Sequence, residues 1–449
     1  MAELGREQLL ERVRAAGVVG AGGGGFPAHA KYTAQVGVVI ANGAECEPLI
    51  RVDQLQMARR PAELLRGLEL VMRMTGASLG VIGLKAKYHD AIDALRAQLQ
   101  ATSSGQRVRL LELGNYYPAG DEFVLVREVL GKAIPEFGLP LSVGAVVSNV
   151  GTLIDVAAAV DHGRPVTRRL VTVAGEVVRA GTFEVPVGTP LSALLEAAGG
   201  ARVAGPALLP GGPMMGQLTD DPQAPVTKTT SALLVLPQDH PVVARRRRSV
   251  ARQLQLTRAA CLKCMMCSEV CPRNLLGHRL YPDRLMRSLA AGVAEDLEAY
   301  RGAYLCSECG LCAVYGCVMN LDPAYVNREL KRRLQAAGVP RPTPREAVER
   351  VFGPVRKVPT ARLIARLGLG AYDLPAPLAP FQVAVRRLVL PLKQHAGLPA
   401  RPVVATGARV EEGALLGEIP EGKLGARIHA PRSGVVAEVT PERVVLEVG

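Results

Sequence analysis

The sequence predicts a multidomain chain that mixes α/β and α+β architecture, and three observations carry that prediction. At 449 residues the chain exceeds what one hydrophobic core serves and should divide into three or four domains. Its patterning changes character along its length, from alternating helices and strands to short β-branched runs and finally to glycine-punctuated strands. Between the second and third regimes, eight of the nine cysteines crowd into two short runs.

Residues 1–163 read as an α/β domain. An opening helix is followed by the apolar run Val36–Ala41, a helix over Pro61–Thr75, a strand Leu79–Leu84, a helix Tyr88–Leu99 and a strand Val108–Leu113. Alternation of this kind favours a parallel sheet layered with helices. Residues 164–240 show β-branched strands at Leu170–Val178 and Thr182–Val187, one helix at Leu191–Ala198 and a closing strand Ala232–Leu236, the pattern of a small β-grasp module. The cysteine region, 241–338, carries helices between and after its runs, including Ala324–Ala336. Residues 339–379 hold Pro340, Pro342, Pro344, Pro354 and Pro359, which predicts a semi-rigid spacer. From 380 to 449, strands alternate with glycine turns, as in Gly407, Gly413, Gly417 and Gly434, predicting a small β-barrel or sandwich.

The cysteines speak most specifically. Cys261-x2-Cys264-x2-Cys267-x3-Cys271-Pro272 and Cys306-x2-Cys309-x2-Cys312-x4-Cys317 have the ligand spacing of two 4Fe–4S clusters, in which three thiolates wrap one cubane and the fourth reaches across to its neighbour. Cys261, Cys264, Cys267 and Cys317 are therefore assigned to one cluster, and Cys306, Cys309, Cys312 and Cys271 to the other. Zinc ribbons place one long gap between two pairs, and disulfide frameworks belong to short secreted chains. Cys317 departs from the pattern by one extra residue and by Val318 in place of proline.

Composition excludes other classes. The net charge is +13, but aromatic residues make up only 4% and Trp is absent, so stacking platforms for nucleic acid are scarce and no nucleic-acid module is evident. The Arg245–Arg248 run reads first as a solvated linker and second as a docking patch for an acidic electron carrier such as a ferredoxin or flavodoxin. The opening segment lacks the apolar core of a signal peptide, and no stretch approaches the ~20 apolar residues that span a bilayer. Cluster thiols must stay reduced, which predicts the cytoplasm, with a microcompartment or the periphery of a membrane complex also open.

Within the first domain, six glycines crowd the segment from Gly17 to Gly25, ahead of Phe26-Pro27. Gly20, Gly22 and Gly25 formally satisfy G-x-G-x-x-G, yet the loop follows a helix rather than a strand, against a Rossmann reading. Its N–H groups suit an anion nest with Lys31 nearby to neutralise charge; a plain surface loop is the alternative. Asn42-Gly43-Ala44-Glu45-Cys46-Glu47 follows the first strand, where open α/β sheets bind ligands. Asn42 suits a planar cofactor edge, and Glu45 and Glu47 suit ribose hydroxyls or an amide. Cys46 has no paired base and reads as a small packed side chain.

The segments GVVGAGGGGFPAHAKY, NGAECEPL, YPAGDE, SNVGTL and GGPMMG, followed by the cysteine runs, resemble the flavin- and NADH-binding subunit family of respiratory complex I, and more closely the RnfC-like and PduS-type cobalamin reductase families. The resemblance implies a complex I flavoprotein-like α/β domain, an SLBB β-grasp domain, a helical bis-4Fe–4S ferredoxin-like domain and a C-terminal barrel-sandwich hybrid. It implies that Gly20, Gly22, Lys31, Asn42 and Asn149 hold FMN and that Phe26, Glu47 and Glu122 surround the nicotinamide nucleotide. Ala44 and Ala34 replace an acidic and an aromatic residue of the complex I subunit. The barrel at the end of the chain follows the cobalamin reductase order, whereas RnfC carries it first. The expected function is NADH-dependent reduction of cobalamin through FMN and two clusters, with an adenosyltransferase as partner. An Rnf-like membrane-complex subunit and a non-catalytic relay or scaffold are the alternatives. Lys423, placed like the modified lysine of lipoyl and biotinyl domains but flanked by Gly422 and Leu424, reads as unmodified.

Overall fold

Four parallel strands form the floor of the first domain: β1 (Val38–Gly43), β2 (Leu79–Lys85), β3 (Val108–Leu113) and β4 (Ala145–Asn149). The computed structural model describes residues 4–292 and 296–449. The sheet order is β3-β2-β1-β4, so the chain leaves β1 on one side and returns on the other. The crevice beyond the carboxyl ends of β1 and β4 is thus the switch point at which such sheets bind ligands. Helices α1 (Arg6–Ala15), α2 (Val52–Arg59), α3 (Pro61–Thr75), α4 (His89–Ala101), α5 (Glu122–Leu130) and α6 (Val150–His162) cover the sheet. Gly67 explains how closely α3 and α6 cross: a Cβ there would sit 1.9 Å from the Leu153 carbonyl oxygen. A mid-helix glycine costs about 1 kcal/mol in propensity, and here it admits a neighbouring backbone.

The second unit is a mixed sheet of β5 (Arg168–Gly175), β6 (Gly181–Pro186), β7 (Ala207–Pro210) and β8 (Ala232–Leu236) with helix α7 (Leu191–Ala197). Val171, Val173, Val185, Leu191, Leu194 and Leu233 share its apolar core. The cysteine region follows, with α8 (Val250–Ala260), α9 (Pro282–Ala291) and α10 (Pro323–Ala336). The last unit packs strands β9 (Arg387–Pro391), β10 (Leu415–Glu418), β11 (Gly434–Val439) and β12 (Arg443–Glu447) around a core of Leu388, Leu390, Leu416, Val436 and Leu446.

Two expectations need correction. The stretch 339–379 is more than the semi-rigid spacer expected, since its second half packs. Val358–Pro359 pairs with Tyr116–Tyr117 of the first domain, Leu378–Ala379 extends the second sheet beside β6, and the helix Thr360–Leu367 buries Leu363, Ile364 and Leu367 against Leu236, Val242 and Leu311. Its apolar residues return at helical spacing, which a count of prolines hides. The arginine run is no solvated linker either. Arg246 donates to the Gly216 and Pro213 carbonyls, both at 2.8 Å, while Arg245 and Arg248 bond the side-chain and backbone oxygens of Asn320. Guanidinium groups forking onto carbonyl oxygens can be drawn into an interface where a bare charge could not.

Candidate redox site

The site begins with two asparagines. Asn42 and Asn149 end neighbouring parallel strands and lie opposite each other in register. Asn149 caps α6 by accepting the Gly151 N–H at 2.9 Å and donates its own amide to Asp53 at 2.9 Å. Asn42 donates to the Gly120 carbonyl at 2.9 Å and accepts the Ala44 N–H. Both side chains are thereby fixed on the wall of a cleft of about 220 Å³.

The glycine loop forms one lip. Gly20 donates to the Phe26 carbonyl, Gly25 to the Gly20 carbonyl, and Ala21 to the Thr152 hydroxyl at 2.8 Å. Nothing stands within 4 Å of a Cβ placed on Gly23 or Gly24, and Gly23 has φ +102°, so this turn leaves its backbone open to a ligand. The C-terminal unit backs the loop, with Ala396 donating to the Gly25 carbonyl at 2.9 Å. From the second unit, the buried Lys228 ammonium donates to the Gly17 and Arg427 carbonyls at 2.8 and 2.7 Å. Three units thus hold one loop.

Of the expected ligands, Gly22, Asn42, Glu45, Glu47 and Asn149 line the cleft. Gly20 and Phe26 close the glycine turn from behind through the bond between them. Lys31 lies apart: its ammonium donates to the Val147 carbonyl at 2.9 Å and stands 3.9 Å from Glu122 at the start of α5. Glu47 is engaged as well, both carboxylate oxygens accepting the Met214 and Met215 N–H groups at 2.8 and 2.9 Å. It clasps the GGPMMG turn of the second unit against the cleft, and burial pushes its pKa up to about 7. Glu45 accepts the Asp53 N–H through one oxygen. Burial raises the pKa of both Glu45 and Asp53, and at Glu45 the nearby Asp53 charge adds to the rise.

Other wall residues escaped the sequence reading, namely Asp53, Gln56, Arg169 and Ser307, while Tyr117 and Cys309, singled out there for other reasons, join the same wall. Arg169 arrives from β5, bonded to the Lys228 carbonyl and to Asp155 at 2.6 and 2.7 Å, so no local motif announces it. Asp53 and Gln56 read as ordinary helix residues. Among these walls, Glu45 Oε2, Gln56 Oε1 and one Arg169 Nη have no partner. Buried polar atoms without partners are costly, and this mixture of donors and acceptors suits a polar heteroaromatic ring with a charged arm. The residues fit FMN on that ground. Cys46 is structural, its sulfur accepting the Gly120 N–H at 2.7 Å.

The thiols fall into two sets. Cys261, Cys264, Cys267 and Cys317 line one small cavity. Cys312 is buried with the thiols of Cys306, Cys309 and Cys271 as its electrostatic neighbours. Both loops are wound alike: Lys263 and Met265 have φ +58° and +66°, and Glu308 and Gly310, at the same offsets from the first cysteine, have +61° and +77°. Left-handed non-glycine residues are uncommon and mark constrained sites; here they coil the chain around its thiols. The extra residue before Cys317 is absorbed by a π-turn over Cys312–Gly316, the usual way a helix accommodates an insertion. Among the described residues, no three Cys, His or acidic side chains converge on a single-ion position. A cubane takes one thiolate on each of its four iron atoms, the number that Cys261, Cys264, Cys267 and Cys317 bring to one cavity. The thiol sets fit clusters.

Comparison with known proteins bears on this arrangement. Residues 13–158 match the Nuo51 FMN-binding domain family, 170–218 the SLBB domain, 260–322 the 4Fe–4S dicluster domain and 377–448 the RnfC barrel sandwich hybrid domain. The cobalamin reductase PduS of Salmonella typhimurium is 43% identical, over 99% of this chain and 97% of its own. The chain belongs to the PduS cobalamin reductase family. Its counterpart in Citrobacter freundii is 41% identical over 98% of this chain and 96% of its own. A component of the ion-translocating oxidoreductase complex of Pseudomonas aeruginosa is 36% identical but spans 61% of this chain and 34% of its own. In this chain the matched segments run in the order flavin, SLBB, dicluster, barrel. No helix among the described residues is long and apolar enough to cross a membrane.

Proposed function

We propose that this chain oxidises NADH and reduces cobalamin, with FMN held in the cleft by Gly22, Asn42 and Asn149 and a 4Fe–4S cluster on each thiol set. Bound there, FMN would supply the conversion between two-electron hydride chemistry and single-electron release, and the thiol sets would hold clusters that carry electrons singly. The observation that carries the reading is a shared wall: Ser307 and Cys309, from one cysteine loop, line the same cleft as Asn42 and Asn149. Tyr117 fixes that wall by donating to the Cys309 carbonyl at 2.7 Å, and Asp121, which caps α5, grips Arg273 beside Cys271.

The chain's own work is to orient the ring edge through Asn42 and Asn149, to leave backbone N–H groups free in the glycine turn, and to keep water out with the Glu47 clasp. The overall stoichiometry is one NADH and two cob(III)alamin giving NAD+, two cob(II)alamin and one proton. A partner adenosyltransferase would consume the reduced corrinoid. The test is anaerobic titration of reconstituted protein with NADH, following flavin and cluster absorbance, then addition of cob(III)alamin. Bleaching that is reversed by cobalamin, with cob(II)alamin formed, supports the reading; failure of NADH to bleach either chromophore removes it.

A further inference from the structure

The two thiol sets share a backbone winding but sit in opposite surroundings. The loop of Cys306, Cys309 and Cys312 faces inward: Leu311 is 2% exposed, Cys312 is buried, and Ser307 and Cys309 form part of the cleft wall. The loop of Cys261, Cys264 and Cys267 faces outward, with Cys264 exposed. Around it stand Leu262 at 62%, Met265 at 46%, Val318 at 60% and Met319 at 41% exposure. Large apolar side chains at such exposure, contributed by both loops that line one cavity, form a contiguous patch of the kind that marks a binding surface.

Charge narrows what this patch can receive. Lys263 lies within it, and Arg245 and Arg248 bond Asn320 at its edge. Asp283, which lines the same cavity, is 3% exposed, and its carboxylate accepts from the Ser268 hydroxyl and pairs with Arg287. Size narrows it further. The patch is made by the tips of two loops, residues 262–265 and 318–319, whereas a standard protein interface draws on about 20–30 residues a side.

The geometry points to this apolar collar, Leu262, Met265, Val318 and Met319 with Lys263, as the docking site of the corrinoid acceptor, which leaves the Cys309 loop as the flavin-facing side. The inference rests on the function proposed above and adds the place where its acceptor binds. A corrin offers a conjugated ring edged with methyl groups, which thioether and aliphatic side chains can contact, and its nucleotide tail carries one phosphodiester, which Lys263 suits. Each electron delivered there converts one cob(III)alamin to cob(II)alamin, so two acceptors dock in turn for each NADH oxidised.

The experiment uses the full chain, reconstituted anaerobically with FMN, iron and sulfide, and the variants Leu262→Glu, Met319→Glu and Lys263→Glu. Hydroxocobalamin is the binding probe, with its dissociation constant measured by ultrafiltration on oxidised protein in the absence of turnover. The collar variants should retain parental iron content and parental bleaching by NADH, while the dissociation constant rises at least tenfold and cob(II)alamin formation slows by a similar factor. Using three separate variants, each checked for iron, guards against a misfolded loop. Binding and rate within twofold of the parent in all three would overturn the inference. So would loss of adenosyltransferase capture with free cobalamin still reduced at the parental rate, which would make the collar a protein interface. If NADH fails to bleach the parent, the proposed function falls. Dithionite-reduced protein and the binding measurement still decide the collar.

Discussion

The two cysteine loops of this chain wind their backbones alike and yet are placed oppositely. One faces inward, with Leu311 and Cys312 buried and its Cys309 carbonyl bonded by Tyr117; the other carries an exposed cysteine ringed by exposed apolar side chains. The shared winding comes from C-x2-C-x2-C spacing, because three thiols must converge within a few residues. The contrast comes from the neighbours: one loop meets the switch point of the first domain and the other meets solvent. Spacing therefore defines how a cysteine loop winds, while its surroundings decide whether it faces the cleft or solvent.

The most drastic way to break the comparison is to remove one thiol from each loop. Cys309→Ser should abolish NADH-driven reduction of whatever iron remains. Cys264→Ser should leave NADH bleaching of the flavin and of the inner cluster intact, and abolish reduction of cob(III)alamin. Stopped-flow absorbance with low-temperature EPR reads both, and equal behaviour of the two variants would dissolve the distinction. The next effect is on stability. Arg273 and Asp121 are about one-tenth exposed and bonded at 2.8 and 3.2 Å, and removing one partner of a buried pair costs about 3–5 kcal/mol. Arg273→Ala should show that loss in denaturant unfolding and should release iron from the inner loop first.

Glu47 sharpens the comparison from the cleft side. Its folded pKa, about 7, lies above its ordinary 4.5, so between those values the native state holds a proton that the unfolded chain has released. Its contribution to stability is therefore present at low pH and lost as pH rises from about 4.5 through 7. Glu47→Gln should flatten that dependence between pH 5 and 8 in denaturation midpoints, and an unchanged slope would show that the clasp does not titrate. The smallest expected effect belongs to Tyr117→Phe, which strips one hydrogen bond from the Cys309 carbonyl. A loss of about 1 kcal/mol is typical, and cluster EPR should shift without loss of iron.

Much of the first domain was legible because its signals are local. The helix Pro61–Thr75 and the strand Val108–Leu113 lie where the pattern of apolar residues puts them, as does the strand Ala232–Leu236 of the second unit. The first strand runs from Val38 to Gly43 rather than from Val36 to Ala41, since Val36 bonds to Thr75 before the sheet begins. The asparagines at the ends of β1 and β4 were readable as polar residues terminating apolar runs. Arg169, Asp53 and Gln56 were not, because each reaches the cleft from an element whose own pattern is unremarkable. Lys31 and Glu47 sit in motifs that suggest ligand contact, yet the tertiary fold turns one to a strand carbonyl and the other to a neighbouring turn.

Helix period, strand content and ligand spacing are written within a few residues, so the chain's own letters announced most elements, the changes of patterning along the chain and the two cysteine runs. Folding in three dimensions was needed to establish that the proline-rich stretch packs, that three units brace the glycine turn, and which cysteine loop looks inward. Those outcomes depend on contacts between residues far apart in the chain, such as Tyr117 with Cys309 and Lys228 with Gly17 and Arg427. Burial and hydrogen-bond partners exist only once distant segments have met, and no local pattern encodes them.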